Sequence, residues 1–393
     1  MITTASHRIS RTKLSDPCFI ALVTDTYPPE INGVANTVCR FATGLKTRGH
    51  RIEIIRPRQR KEIENNDGMI HKQVLGLPLL GYAGLRFGLP MLGYLKTLWK
   101  TSRPDAIYVA TEGPLGWSAI KAANRYGIPV ISGFHTNFHS YSHYYHLKLF
   151  QNGVFNYLRY FHNQTQATLV PTASLQHSLS SQDFQRVTVV GRGVDVKLFT
   201  PDKRDEGLRR RWGLGPPDTA IIAVGRIAPE KNLSLAISAY RAMAFNRPNI
   251  QMIIVGDGPE LASMQQNNPD VLFVGAQRGE ELARHYASAD ILLFPSETET
   301  FGNVILEAMS SGLAVVAYQY AAAAIHIEHL INGLSPELGN QSSFIRSAIA
   351  LTHKNIDIES IRRQARLHAL AHDWPNVIDS FESIMLDTQR EEV

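Results

Sequence analysis

The feature that most restricts the fold is an alternation. Short, continuously apolar, β-branched-rich runs are separated by helix-length stretches, the pattern of parallel α/β structure in which each strand is covered on both faces. In the first half the runs are FIALVT (19–24), RIEII (51–55), AIYVA (106–110), PVISGF (129–134), ATLVP (167–171) and VTVVG (187–191). In the second they are TAIIAVG (219–225), IQMIIVG (250–256), VLFVG (271–275), ILLFP (291–295) and LAVVAY (313–318). Stretches such as 232–244, 280–289 and 303–311 supply the intervening helices.

A chain of 393 residues is too long for one ordinary core and comfortable for two α/β domains. The charged, Pro- and Gly-rich segment 198–218 marks the expected boundary, giving domains 1–197 and 198–374. After Asp357 the chain reads as helix, broken once at Trp374-Pro375. Ligands of open parallel sheets bind beyond the carboxyl ends of the strands, so two such edges facing one another would form a deep cleft. Residues 1–16 are polar and Ser/Thr/Arg-rich. They faintly resemble a transit peptide and are expected to form a short disordered arm.

No apolar run reaches the roughly 18 residues that span a bilayer. Cys18 and Cys39 offer no CxxC pattern, which excludes a disulfide framework or a cysteine zinc site and fits a reducing cytoplasm. A net charge of +5 suits an anionic partner without choosing among nucleotide, nucleic acid and anionic lipid. No basic stripe is interleaved with aromatic residues, so a nucleic-acid partner is not expected.

Four segments carry candidate chemistry. In TDTYPPEINGVANTV (24–38) a strand ends, a Pro-rich turn follows and Asn32-Gly33 opens a helix. Gly33 lets backbone approach a ligand and the helix start favours negative charge, although an ordinary βα turn would read the same. In VGRIAPEKN (224–232), Arg226 and Lys231 bracket a turn at a strand's carboxyl end, an arrangement that suits a diphosphate. In ETETFGNVILEAM (297–309), Phe301, Gly302 and Asn303 stand at a helix start whose N–H groups could hold phosphate. There Glu299 can reach sugar hydroxyls, and Glu307, eight positions on, ribose hydroxyls. The bland reading is a capping acid and a surface Glu.

The fourth segment, SGFHTNFHSYSHYYH (132–146), holds His135, His139, His143 and His146. Zinc is disfavoured because HTNFH lacks the Glu of a HExxH site and no nearby acid completes a ligand set. His135 ends a strand at the cleft edge, so contact with a sugar is more economical. The chain lacks an Asp-x-Asp motif, so no metal is expected and cationic and helix-end groups must neutralise a leaving diphosphate. VGDGPEL (255–261) lacks the third glycine of a dinucleotide site.

Taken in order, GR-x3-EKN, VGDGP and E-x7-E resemble the retaining glycosyltransferases of family 4, which share the GT-B fold of two Rossmann-like domains. The likeness runs from about Phe19 to Trp374, and TDTYPPEINGV and FHTNFHSY are similar to the branch of bacterial glycolipid synthases, GDP-mannose-dependent α-mannosyltransferases and sulfoquinovosyl-diacylglycerol synthases. The resemblance implies a UDP-sugar or GDP-mannose donor, with Gly33 near its phosphate and His135 on the transferred sugar. It implies Arg226 and Lys231 on the diphosphate, Glu299 on sugar hydroxyls and Glu307 on ribose. It also places the Gly256 turn, Val274 and Gly275 near the nucleobase, and residues 375–393 back on the N-terminal domain. The chain departs from the pattern where AYQYAAAAIHIEH replaces the usual Gly-Gly-x-x-Glu segment.

The expected reaction is retaining transfer of a hexose to an acceptor hydroxyl on a lipid or saccharide. A sugar-nucleotide epimerase of the same fold is the rival. RPRQRK (56–61) beside GLPLLGYAGLRFGLPMLGYL (76–95) suggests peripheral contact with an anionic membrane, at the inner face of the cell membrane; internal packing with solvated cations is the alternative.

Overall fold

The computed structural model describes residues 16–30, 32–59, 67–78, 86–135, 148–247, 249–298, 302–353 and 355–387. Its strands are β1 (Phe19–Val23), β2 (Arg51–Pro57), β3 (Ile70–Val74), β4 (Gly76–Pro78), β5 (Arg86–Gly88), β6 (Ala106–Val109) and β7 (Val130–Gly133). They continue as β8 (Ala167–Val170), β9 (Val187–Val189), β10 (Thr219–Val224), β11 (Ile250–Val255), β12 (Leu272–Phe273), β13 (Ile291–Phe294) and β14 (Ala314–Ala317). One sheet has the order β3-β2-β1-β6-β7-β8-β9, another β12-β11-β10-β13-β14, and β4 and β5 form an antiparallel pair.

By its contacts the chain divides into residues 1–134, 158–169 and 381–393, and a second unit of residues 135–157 and 170–380. In each sheet the order turns back at one point. From β1 the chain adds β2 and β3 on one side, then returns to place β6 on the other. From β10 it adds β11 and β12, then returns to place β13. The loops leaving β1 and β6, and those leaving β10 and β13, therefore diverge and leave a crevice at the strands' carboxyl ends.

Burial on both faces explains why these strands read so clearly. Along β10, Ala220 and Ile222 enter one apolar cluster while Ile221 and Ala223 enter the other. In the first unit Ala21, Val23, Ile107 and Val109 pack with Trp99 and Phe161. Phe381, from the final helix Trp374–Asp387, stacks on Phe41 with centroids 4.0 Å apart, and Glu382 accepts from Arg48 at 2.9 Å.

Several expectations are corrected. Trp374-Pro375 does not break a helix: the break is at 371–373, and Trp374-Pro375 begin the next one, where a proline lacking its N–H removes no helical hydrogen bond. The run 271–275 yields only the two residues of β12, because Gly275 turns into the left-handed region at φ +74°. β3 and the β4–β5 pair were not expected at all. Arg56 is not a surface cation: it lies within β2 and is 2% exposed, since β3 pairs alongside. Arg58 is exposed as expected, whereas Arg60 and Lys61 lie outside the described residues.

Candidate functional site

In the second unit the loops leaving β10 and β13 flank the crevice and touch at Ser296. The β10 loop makes a 3-10 turn at Pro229–Lys231, and Asn232, in the left-handed region at φ 50°, starts the helix Leu233–Asn246. Ser296 Oγ donates to the Glu230 carbonyl at 3.4 Å, and the Lys231 ammonium lies 5.8 Å from the centroid of the Phe294 ring. Arg226 is exposed and lies 3.8 Å from Glu230, a contact of little energetic weight in water. Two cations thus stand at the crevice that the strand order creates.

The VGDGP turn packs beneath this loop. A Cβ on Gly256 would come within 1.9 Å of the Gly225 carbonyl, and one on Gly258 within 2.2 Å of that of Ile227. The backbone binds across the same seam, Ile227 N–H donating to Asp257 at 2.9 Å and Gly256 N–H to Gly275 at 3.0 Å. The close approach that demands glycine here is chain to chain. Val274 and Gly275 close the seam from β12, with Val274 N–H donating to Ile254 at 3.1 Å.

Helix Asn303–Ser310 follows Gly302, whose φ of 88° is a conformation that suits glycine. No side chain caps its start among the described residues, and Asn303 Oδ1 is buried there without a hydrogen-bond partner. One turn in, Glu307 Oε2 accepts from the hydroxyl of fully buried Tyr286 at 3.0 Å. Burial pushes the Glu307 carboxyl up to about 7, against the lowering effect of that bond. A small cavity is lined by Phe294, Ser296, Ile305, Tyr318, Tyr320 and Ala321. Tyr318, 1% exposed, has a hydroxyl with no hydrogen-bond partner among the described residues. Glu299 and Phe301 lie outside the described residues, as do His139, His143 and His146.

In the first unit the crevice is acidic. Asp25, just past β1, accepts from Gly88 N–H at 2.8 Å, and its own N–H donates to Thr111 Oγ1 at 3.0 Å. A Cβ on Gly113 would lie 2.5 Å from its Oδ2. Burial, reinforced by Glu112, holds the Asp25 carboxyl above its ordinary range, and burial also raises Glu30. Behind Glu112, His162 Nε2 lies 3.4 Å from its Oε1, while His162 Nδ1 is 2.8 Å from the buried Ser132 hydroxyl. The serine is fully buried, so this row orients Glu112 and offers no exposed nucleophile. Gly33 is the exposed first residue of helix Gly33–Thr47, whose cap Asn32 accepts from Ala35 N–H at 2.8 Å. His135 stands two residues past β7 and is half-buried.

The structure therefore brings Arg226, Lys231, Gly256 and Gly275 to one loop seam of the second unit. The sequence reading missed Asp25, Glu112 and His162 in the first unit and Tyr286 and Tyr318 in the second. A usable signal existed for Glu112: Thr111-Glu112-Gly113-Pro114 follows a strand and opens a helix, much as TDTYPPEING does.

The chain thus carries cations at the switch point of one sheet and carboxylates at that of the other. Comparison with known proteins gives the class its name. Residues 31–198 match the model of Glycosyltransferase Family 4 and residues 205–368 that of Glycosyl transferases group 1. A GDP-mannose-dependent alpha-mannosyltransferase of Mycobacterium tuberculosis is 31% identical over 374 residues, covering 92% of this chain and 94% of that protein. An alpha-monoglucosyldiacylglycerol synthase of Streptococcus pneumoniae is 27% identical, covering 76% and 70%. Anabaena Alr3699/HepE, solved in complex with UDP, superposes with a TM-score of 0.75 at 17% identity, covering 94% of this chain and 99% of that one, which shows a shared fold. The chain belongs to glycosyltransferase family 4 and is a glycosyltransferase of the GT-B fold.

Proposed function

We propose that this enzyme transfers a hexose, with retention, from a nucleoside-diphosphate sugar to a lipid hydroxyl, and that the donor diphosphate rests on Arg226, Lys231 and the start of helix Asn303–Ser310. The observation that carries the reading is the pair of cations at the β10–β13 switch point. Charge-assisted contacts there stabilise the negative charge that develops as the glycosidic bond breaks. Asn303 Oδ1 and the Tyr318 hydroxyl are polar atoms in that region for donor groups to satisfy. Glu307 takes the ribose and Glu299 the sugar hydroxyls; His135 and Gly33 keep the roles that the family resemblance implies, on the transferred sugar and near the donor phosphate. By family analogy, attack is from the front face through an oxocarbenium-like transition state, the leaving diphosphate taking the acceptor's proton. No metal serves the diphosphate in this reading, since these cations already supply the charge.

Asp25, Glu30 and Glu112 suit an acceptor, because carboxylates accept from hydroxyls. Relatives named for GDP-mannose and for diacylglycerol products support the donor and lipid classes. Membrane contact is supported by exposed Leu92 and Tyr94 on helix Leu92–Thr101, which also carries Lys96 and Lys100, and by exposed Leu75 and Leu77. No helix among the described residues is long and apolar enough to cross a membrane. The test is a donor screen with purified enzyme and a lipid extract, read by mass spectrometry. A glycolipid gaining one hexose is expected; an epimerised nucleotide or a glycosylated soluble sugar as sole product would overturn the reading.

A further inference from the structure

Three histidines that the transfer chemistry does not use converge in the second unit. His326 ends the helix Ala321–His326 and is 4% exposed. His368 lies in the last turn of helix Ile358–Leu370, and His372 follows four residues later, where His372 N–H still donates to Ala369 in a helical turn. That spacing puts both rings on one face, as in helical metal-binding pairs. They stack with centroids 4.4 Å apart, and His326 stands edge-on to them at 5.3 and 4.7 Å.

The nitrogens converge as well as the rings. One ring nitrogen from each histidine lies within 4.8 Å of the other two. His326 Nδ1 and His368 Nε2 are 3.1 Å apart. Ligands around tetrahedral zinc, at about 2.0–2.1 Å from the metal, stand roughly 3.3–3.4 Å from one another. The tautomers suit ligation too. His372 Nδ1 lies 2.9 Å from the His368 carbonyl, an acceptor, so Nδ1 carries the proton and Nε2 keeps its lone pair. The chain around His326 is held in turn, its carbonyl accepting from buried Asn332 at 3.0 Å and Asn332 Oδ1 accepting from Glu328 N–H at 2.8 Å.

We propose that His326, His368 and His372 form a tri-histidine site for a divalent transition-metal ion of the zinc class. Three imidazoles with no carboxylate among them select such a borderline ion over Mg²⁺ or Ca²⁺, which prefer oxygen. The fourth position is left to water or an anion. One of the three ligands, His326, falls in the segment AYQYAAAAIHIEH, where the chain departs from its family's pattern. It also has a structural reach. The helix that ends at His326 begins at Ala321, in the wall of the cavity beside Tyr318 and Ser296. An ion joining it to helix Ile358–Leu370 fixes that wall. This second step rests on the transferase reading; the metal site does not.

The test titrates metal-stripped full-length enzyme with Zn²⁺ by calorimetry, alongside His368→Ala and His372→Ala, whose rings are less buried than His326. Circular dichroism confirms that each variant is folded. We expect one Zn²⁺ per chain with a Kd at or below about 1 µM, weakened at least about 100-fold in each variant. Zn²⁺ should raise the thermal midpoint of the wild type and not of the variants. Absence of a saturable single equivalent, or binding that both variants retain, would overturn the site; the latter would place the ion elsewhere, for example on the histidines of 135–146. If the site holds, wild-type donor KM should rise when the metal is removed. An unchanged KM, with Zn²⁺ binding still lost in the variants, would overturn the coupling to the donor wall and leave the site standing.

Discussion

At the switch point of the first sheet the chain places Asp25 and Glu112; at the same topological point of the second it places Arg226 and Lys231. The backbone arrangement is repeated and the charge is inverted. Open parallel sheets determine where a ligand binds, whereas the side chains in the loops determine what kind. In the proposed reading the cationic crevice takes the diphosphate. An acidic one, with carboxyls held above their ordinary range, receives groups that donate hydrogen bonds, such as hydroxyls. A second contrast lies along one strand. At the amino end of β13, Asp290 accepts from fully buried Arg209 at 2.9 Å and from Ala220 N–H at 2.8 Å. At its carboxyl end Ser296 Oγ donates to the Glu230 carbonyl on the loop leaving β10.

The largest effect is expected at that amino end. Asp290→Ala leaves the Arg209 charge buried without its carboxylate and should cost about 3–5 kcal/mol of stability in a denaturant titration, with nucleotide affinity unchanged in the folded fraction. Lys231→Ala should do the reverse. Its thermal midpoint should stay near wild type while transition-state stabilisation falls by at least about 2 kcal/mol, roughly 30-fold in kcat/KM. Normal turnover in that variant would break the contrast between the two ends.

Glu112→Gln sharpens the comparison between the crevices. It keeps shape and removes charge, and should lower kcat/KM for the acceptor about 10-fold while donor affinity holds. Loss of donor binding instead would erase the distinction.

The smallest effect concerns pH. A carboxyl raised to about 7 is protonated over much of the neutral range, and ionising it opposes folding, so its contribution to stability declines as pH rises from the ordinary carboxylate range through 7. Ribose hydroxyls favour the ionised form. Affinity for a nucleotide sugar should therefore rise modestly as pH climbs through about 7, and Glu307→Gln should flatten the profile. Tyr286→Phe removes the bond that lowers the carboxyl and should move the profile upward in pH. A wild-type profile as flat as that of Glu307→Gln would remove the ribose assignment.

Strands buried on both faces were legible in the sequence, because an apolar run such as TAIIAV has no other stable setting. The half-buried β3, with His71, Lys72 and Gln73 between its ends, carries no such signature. Missing it also misplaced Arg56, which is covered because β3 extends the sheet past β2. That Arg226 and Lys231 share the loop leaving β10 was legible because both lie within the nine residues VGRIAPEKN. The acidic crevice was not, since Asp25 meets Gly88 and Thr111 only once β1 lies beside β6. Likewise His326 and His368 are 42 residues apart in the chain and adjacent only in the fold.

The central claim is that the two crevices divide the substrates between them. The most direct measurement is calorimetric titration of the wild type, an Arg226→Ala/Lys231→Ala double variant and an Asp25→Asn/Glu112→Gln double variant with GDP and UDP, each with its fold checked by circular dichroism. The account expects the wild type to bind at least one nucleotide, the cationic-crevice variant to lose at least about 30-fold in affinity and the acidic-crevice variant to bind like wild type. Equal affinity in all three, or a loss confined to the acidic-crevice variant, would contradict it.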